Sequence, residues 1–191
     1  MAARAWGDVR GYHGPFEIAV RPEVLADGDG FSVTAREAWI GARDAHFFGG
    51  LGLRERFLGP GRHGGLMLTD HAQPAPMASF GAQGGPWRWV GSLRGEVGAG
   101  WLNAPRADVN NPGWLMMDFR WLPIPNLEFG LSRVGIFWGE GRPVPEFGQL
   151  LLPTDPHIYD DPDKLLPDQD EMAALDAVSY THLTLPTSTH V

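Results

Sequence analysis

At 191 residues the chain is long enough for one domain of ordinary size or for part of a larger one. Its 26 Gly, 17 Pro, 10 Phe and 8 Trp favour many short strands and turns over helices. A net charge of -8 does not supply the basic stripe of a general nucleic-acid binder, and zero cysteine excludes disulfides, thiolate metal sites and cysteine nucleophiles.

The opening MAARAWGDVRG has no apolar core of the kind a signal peptide needs. Either the protein is cytoplasmic or its natural N-terminus lies upstream. No apolar run approaches the roughly 20 residues of a transmembrane helix. Phe16, Ile18 and Val20 then share one face of a strand, with Glu17, Ala19 and Arg21 on the other. Asp27-Gly28-Asp29-Gly30 hints at a calcium loop, but the later ligand carboxylates are missing. It reads instead as the hairpin turn into a strand near 31–41. Less regular strands follow near 45–58 and 77–81. Between them, Gly59-Pro60-Gly61-Arg62-His63-Gly64 matches G-x-G-x-x-G in form only. Pro60 occupies the tight turn and no amphipathic helix follows, so a dinucleotide site is rejected.

Cleaner alternation comes next. Trp87, Trp89, Leu93 and Val97 alternate with Arg88, Ser92, Arg94 and Glu96, which predicts a strand over 87–97. Leu115, Met117, Phe119 and Trp121 alternate with Asp118 and Arg120, and Leu127, Phe129 and Leu131 with Glu128, Gly130 and Ser132. Strands over 114–122 and 127–137 follow, joined by a proline-bearing turn near 123–126. Other links are long: 59–76, 98–113 and 139–170. Only 145–152 and 168–177 offer helical turns, and neither is convincingly periodic.

Alternation by itself fits a soluble β-sandwich with one face on its core. Two details favour another all-β architecture, the antiparallel transmembrane β-barrel of the outer membrane. The apolar faces carry Trp, Phe, Met and Leu while the opposite faces carry full charges, and short and long connections alternate over 82–170. A barrel in lipid needs both, with its sheet closed so that no edge meets hydrocarbon.

Signs of catalysis are missing from the motifs. The 7 histidines show no zinc spacing, no serine sits in a G-x-S-x-G elbow, and no two carboxylates stand out as a glycosidase pair. The chain is therefore expected not to be an enzyme and to need no metal or cofactor. Trp87, Trp89, Phe119 and Trp121 suit an aromatic girdle better than a sugar platform. Trp101, in a long link, and Trp138, with polar-face parity, leave sugar stacking open. The tail from Val178 reads like a translated sequencing adapter, which divides the chain into a barrel portion at 1–177 and an artefactual tail at 178–191.

Two stretches carry a family resemblance. Phe57-Leu58-Gly59-Pro60-Gly61, followed by Leu66 to Pro74, resembles the W-G-P-G and L-I-L-S-N-N-A-x-P segments of the capsule assembly Wzi family. Asn126-Leu127-Glu128-Phe129-Gly130-Leu131-Ser132-Arg133, running to Gly139-Glu140-Gly141-Arg142-Pro143, is similar to its N-L-E-I-G-x-S-R and G-G-E-G-R-P. Asp168 to Asp176 is a weaker match to N-Q-L-A-G-x-D. Asp70-His71 stands in place of paired asparagines, and Trp138 in place of a glycine.

The resemblance implies an outer-membrane barrel of about eighteen strands, of which this chain supplies roughly eight or nine. It implies binding of capsular or extracellular polysaccharide and its attachment to the cell surface, without catalysis, with outer-membrane lipid as the other partner. A porin-like channel is the alternative, and a soluble β-rich glycosidase a more distant one. If the strand from Leu127 climbs outward, Glu140 and Arg142 lie at the external rim, with Trp138 beside them. A plainer role for the two charges is to pair with each other or with neighbouring strands and pin the corner formed by Gly139, Gly141 and Pro143. Arg133 has lipid-face parity, which at mid-bilayer costs about 2–4 kcal/mol. Either a bulge turns it inward or it sits near the headgroups.

Overall fold

The computed structural model describes residues 3–27, 30–56, 58, 74–102, 111–137, 139 and 170–179, which form one antiparallel sheet and contain no helix. Its strands are β1 (Ala3–Trp6), β2 (Val9–His13), β3 (Phe16–Asp27), β4 (Gly30–Arg43), β5 (Phe47–Leu53), β6 (Pro76–Trp87), β7 (Gly91–Trp101), β8 (Gly113–Ile124), β9 (Leu127–Phe137) and β10 (Asp170–Ser179). Neighbours in sequence are neighbours in space from β3 to β10, and β1 and β2 both pair with β3. Among the described residues the path is open, with β1 and β2 at one edge and β10 at the other.

Register sorts every strand into two faces. On one face Phe16, Ile18 and Val20 neighbour Ile40 and Ala42. Farther along, the same face carries Leu51, Phe80, Val97, Met117, Phe119, Leu131 and Leu175. Phe16, Ile18, Ile40, Leu51, Phe80, Phe119 and Leu131 are exposed there. The opposite face is polar, and residues of β2 at one side and of β8 and β9 at the other line a single cavity on it. The sheet therefore curls, with the charged face concave and the apolar face outward. Trp39, Met77, Trp114, Met116 and Val134 pack as a small apolar cluster within the concave side.

Connections differ between the two ends. The turns at 14–15, 44–46, 88–90 and 125–126 are short and share one end, while the β5–β6, β7–β8 and β9–β10 connections leave from the other. Asp27 pairs with Gly30 at that second end, so β3 and β4 are joined tightly there. Aromatic rings gather on the outer face at the short-turn end. Trp121 stacks on Phe129 at 5.5 Å and Phe47 on Phe80 at 5.9 Å, and the Trp121 indole N–H donates to the Val90 carbonyl at 2.7 Å.

Two expectations are corrected. The 87–97 strand does not exist as one piece: Trp87 closes β6, Trp89 lies in the 88–90 turn, and β7 opens at Gly91. Trp87 and Trp89 are two apart and so imitate a strand, but the ladder shifts register between Gly84 and Trp87, where Gly85 has φ 107° and Pro86 has no N–H to donate. Residues 170–179 are a strand with no helical turn, held by pairing along the whole length of β9. Val178 and Ser179 belong to that strand, pairing with Glu128 and Leu127. Backbone ladders tolerate almost any side chain, so pairing continues until β9 itself starts at Leu127. Residues 180–191 lie outside the described residues.

Asp44 shapes the β4–β5 turn. Its Oδ1 accepts from the backbone N–H groups of Phe47 at 2.6 Å and His46 at 2.7 Å, while its own N–H donates to the Phe47 carbonyl at 2.9 Å. Those two donors, the Phe47 N–H foremost, hold its carboxyl below the ordinary carboxylate range. A folded-state pKa that is lowered stabilises the fold above the unfolded value, and the benefit disappears as pH falls through the folded value. Asp44→Ala should therefore lower the urea midpoint of the refolded full-length protein at neutral pH, with Asp44→Asn closer to wild type. The gap between Ala and wild type should shrink as the buffer is taken below the usual carboxylate range. A gap independent of pH would remove the carboxylate from this account.

Candidate functional site

The concave face is a lattice of guanidiniums and carboxylates. At its β2–β5 side, Arg10 donates to Glu37 at 3.0 Å and Asp8 at 3.2 Å. Arg21 donates to Asp8 at 3.1 Å and Glu55 at 3.2 Å. Arg54 lies 3.5 Å from Glu17 and 3.6 Å from Glu37. Glu37 and Glu23 are buried, so this region would be costly without its cations.

A bulge makes part of this lattice. Arg21 pairs with Glu37 and Pro22 with Ala35, which leaves Arg36 as the extra residue of β4. Pro22 has no N–H for the ladder, so the irregularity falls where the sequence forces it. On an unbroken strand Arg36, next to inward Glu37, would face outward. Instead it lies 3.7 Å from Glu23 and 3.8 Å from Glu55. The break between β1 and β2 falls opposite the same point, where the Gly7 N–H donates to the Pro22 carbonyl at 3.3 Å. It brings Asp8 to Arg21.

The second half of the lattice centres on Arg120 of β8. It donates through Nη1 to Asp176 of β10 at 2.9 Å and through Nη2 to Asp118 at 2.9 Å and Ser132 of β9 at 3.2 Å. The Ser132 hydroxyl donates to Asp118 at 2.7 Å, and Glu128 lies 3.6 Å from Arg120. A Cβ on Gly130 would run into Arg120 Nη1 and the Asp176 carboxylate, so this position is empty to make room for the pair.

These contacts account for the conspicuous motif at the start of β9. Its inward positions, Glu128, Gly130 and Ser132, all serve Arg120, while Leu127, Phe129 and Leu131 face out. The sequence had pointed along this stretch to the rim and had left Asp118, Arg120 and Asp176 without a role. One signal was readable in advance: Asp118 and Arg120 stand two apart on the polar face of one strand, and Gly130 interrupts the polar face of the next.

Aromatic rings tie the two halves together. Trp39 carries Arg54 at 5.3 Å and Arg56 at 5.1 Å from its ring centre. Arg56 also lies 2.7 Å from Glu96 and donates to Ser79 at 2.8 Å. Phe48 carries Arg94 at 4.5 Å and Arg43 at 5.5 Å. The resulting cavity holds about 800 Å³. Among the described residues no group of three or more His, Asp or Glu is placed to hold a metal ion.

The residues proposed from sequence fall elsewhere. Trp101 ends β7 in register with Gly113 and takes the outward face, so it is a strand residue and not part of a loop. Arg133 keeps its outward parity between Met117 and Ala173 in an unbroken ladder, four positions below the end of β9 at Phe137. Of the two alternatives for Arg133, no bulge turns it inward, and a bulge falls instead at Arg36. Gly139 is described, with φ 140°, in the left-handed half of the map where a side chain is strained. Gly59, Pro60, Gly61, Trp138, Glu140, Gly141, Arg142 and Pro143 lie outside the described residues.

An antiparallel sheet with an apolar, aromatic-edged outer face and an ion-paired concave face is the wall of a β-barrel. The family profile described as capsule assembly protein Wzi matches residues 3–159, and the chain belongs to that family. Among solved structures it is similar to Wzi of Escherichia coli, described as an outer-membrane protein involved in group 1 capsule assembly and a carbohydrate-binding β-barrel. The two are 24% identical with a TM-score of 0.63, and the match covers 74% of this chain and 34% of that one. This chain thus spans about a third of that barrel's length. No curated protein matches it.

The Arg120 cluster should dominate the stability of this wall. Arg120→Met leaves two half-buried carboxylates uncompensated and should cost about 3–5 kcal/mol in urea unfolding of the full-length protein. Adding Asp118→Asn and Asp176→Asn to it should recover much of that loss, and Gly130→Val should mimic the arginine loss. Independent, additive effects of the three polar changes would show that the cluster is not a unit.

Proposed function

We propose that this chain is part of an outer-membrane barrel that binds capsular or extracellular polysaccharide and helps attach it to the cell surface, without catalysing a reaction. The observation that carries the reading is the division of faces. An exposed apolar outer face edged with stacked aromatic rings suits bilayer lipid, and strands of mostly 10–14 residues suit its thickness. The family match supports the capsule role, and the carbohydrate-binding barrel of Escherichia coli supplies the substrate class.

The concave lattice argues against a porin-like channel. Most of its arginines and acids are mutually paired at 2.7–3.9 Å, so their fields largely cancel. An ion pathway is better served by unpaired rings of one sign.

Short turns at one end and long connections at the other support an outward position for the upper end of β9. Trp138, Glu140 and Arg142 follow Phe137 directly in the chain and are proposed to meet polysaccharide at that rim, through charge-assisted hydrogen bonds to sugar hydroxyls. Trp101, facing outward at the same end, is assigned to the interfacial aromatic belt and not to sugar. Arg133 reaches the outer headgroup region from its place below Phe137, consistent with snorkelling along the strand.

Glu140→Ala and Arg142→Ala in the full-length protein should each lower the polysaccharide retained on cells, normalised to heat-modifiable barrel in the outer membrane. Folded yield should change little. Normal retention per folded barrel in both variants would reduce the segment to a structural corner.

A further inference from the structure

Two aromatic plates on the concave face are built alike but loaded differently. Trp39 lies across Gly41 and Gly50, where a Cβ would strike its indole, and Phe48 lies across Gly81 in the same manner. Each plate carries two guanidiniums within 5.5 Å of its ring centre.

Over Trp39 the cations are already committed. Arg54 faces Glu17 and Glu37 at 3.5 and 3.6 Å, and Arg56 faces Glu96 at 2.7 Å. Over Phe48 they are not. Among the described residues Arg43 meets no carboxylate, and Arg94 has only Glu96 at 3.6 Å, whose charge Arg56 holds more closely. Both side chains are exposed to the cavity, with Arg94 at 43%. Phe48 is itself buried, so it supports the guanidiniums and is not a stacking surface for a sugar.

We propose that Arg43 and Arg94, held over Phe48 at the short-turn end of the lumen, bind a carboxylate of an acidic polysaccharide. This rests on the reading of the chain as part of a polysaccharide-binding barrel and names the class of polysaccharide. The planar fork of each guanidinium matches a carboxylate through two parallel N–H···O bonds, and packing on the ring fixes its orientation beforehand. Two such forks from β4 and β7 converge on one ring in a cavity of about 800 Å³, spacious enough for a sugar residue. A neutral glycan offers them hydroxyl acceptors but no opposite charge. Among the described residues the remaining arginines of the concave lattice are neutralised from within, so the Phe48 plate keeps positive charge available there.

The test is calorimetric binding to the full-length barrel, purified folded in detergent. The probes are a hexuronic-acid oligosaccharide, the same oligosaccharide with its carboxyls reduced to alcohols, and inorganic phosphate. Wild type should prefer the acid form, and Arg43→Gln and Arg94→Gln should each weaken it roughly tenfold, leaving the reduced form unaffected. Equal affinity for acid and reduced forms, with both variants unchanged, would overturn the assignment and leave the polysaccharide reading intact. Failure of folded wild type to bind either oligosaccharide would strike the polysaccharide reading itself. Phosphate competing as well as the uronate would make this an unselective anion site and also overturn the proposal. If the Gln variants do not fold, Arg43→Lys and Arg94→Lys keep the charge but lose the fork, and unchanged uronate affinity in them would refute it.

Discussion

A guanidinium turned into a confined lumen must find carboxylates, and much of this sheet is arranged to satisfy that requirement. Removing either partner of a buried pair strands a charge, at a cost that exceeds the net value of the pair itself. Arg120 shows the consequence most fully. Three strands contribute its partners, and a fourth position, Gly130, is kept empty so that Nη1 and Asp176 can meet. The same pressure explains the irregularity near Pro22. A bulge that would otherwise weaken the ladder turns Arg36 from the apolar face towards Glu23 and Glu55.

Glycine serves the lattice by thinning the wall. Trp39 and Phe48 lie flat because Gly41, Gly50 and Gly81 offer no Cβ beneath them, and flat rings present their faces to arginine. A wall built this way combines rigid supports with charges of known position. Most of those charges are spent on each other. The outer face follows a simpler rule, with large apolar groups outward and aromatic rings towards the short-turn end.

The family motif acquires a physical meaning from this arrangement. Its inward half, Glu128, Gly130 and Ser132, is a cradle for one arginine that lies in the adjacent strand. Its outward half meets the exterior.

Local alternation was enough to establish the all-β class, the two-faced character of β3, β8 and β9, the turn near Pro125 and the presence of long connections at one end. Those features depend on a period of two and on proline, both of which can be read along the chain. It misled at Trp87 and Trp89, where one tryptophan ends a strand and the other lies in the following turn, and it left 170–179 undecided between helical turns and the strand start that the family resemblance implied. The strand there exists because β9 offers it a ladder. Partnership was beyond the sequence as well. Arg120 and Asp176 are 56 positions apart, and Arg56 meets Glu96 across the intervening strand β6. Parity says which face a charge takes, but only the register between strands decides which opposite charge stands beside it, and hence that Arg43 and Arg94 are the ones left with donors to offer.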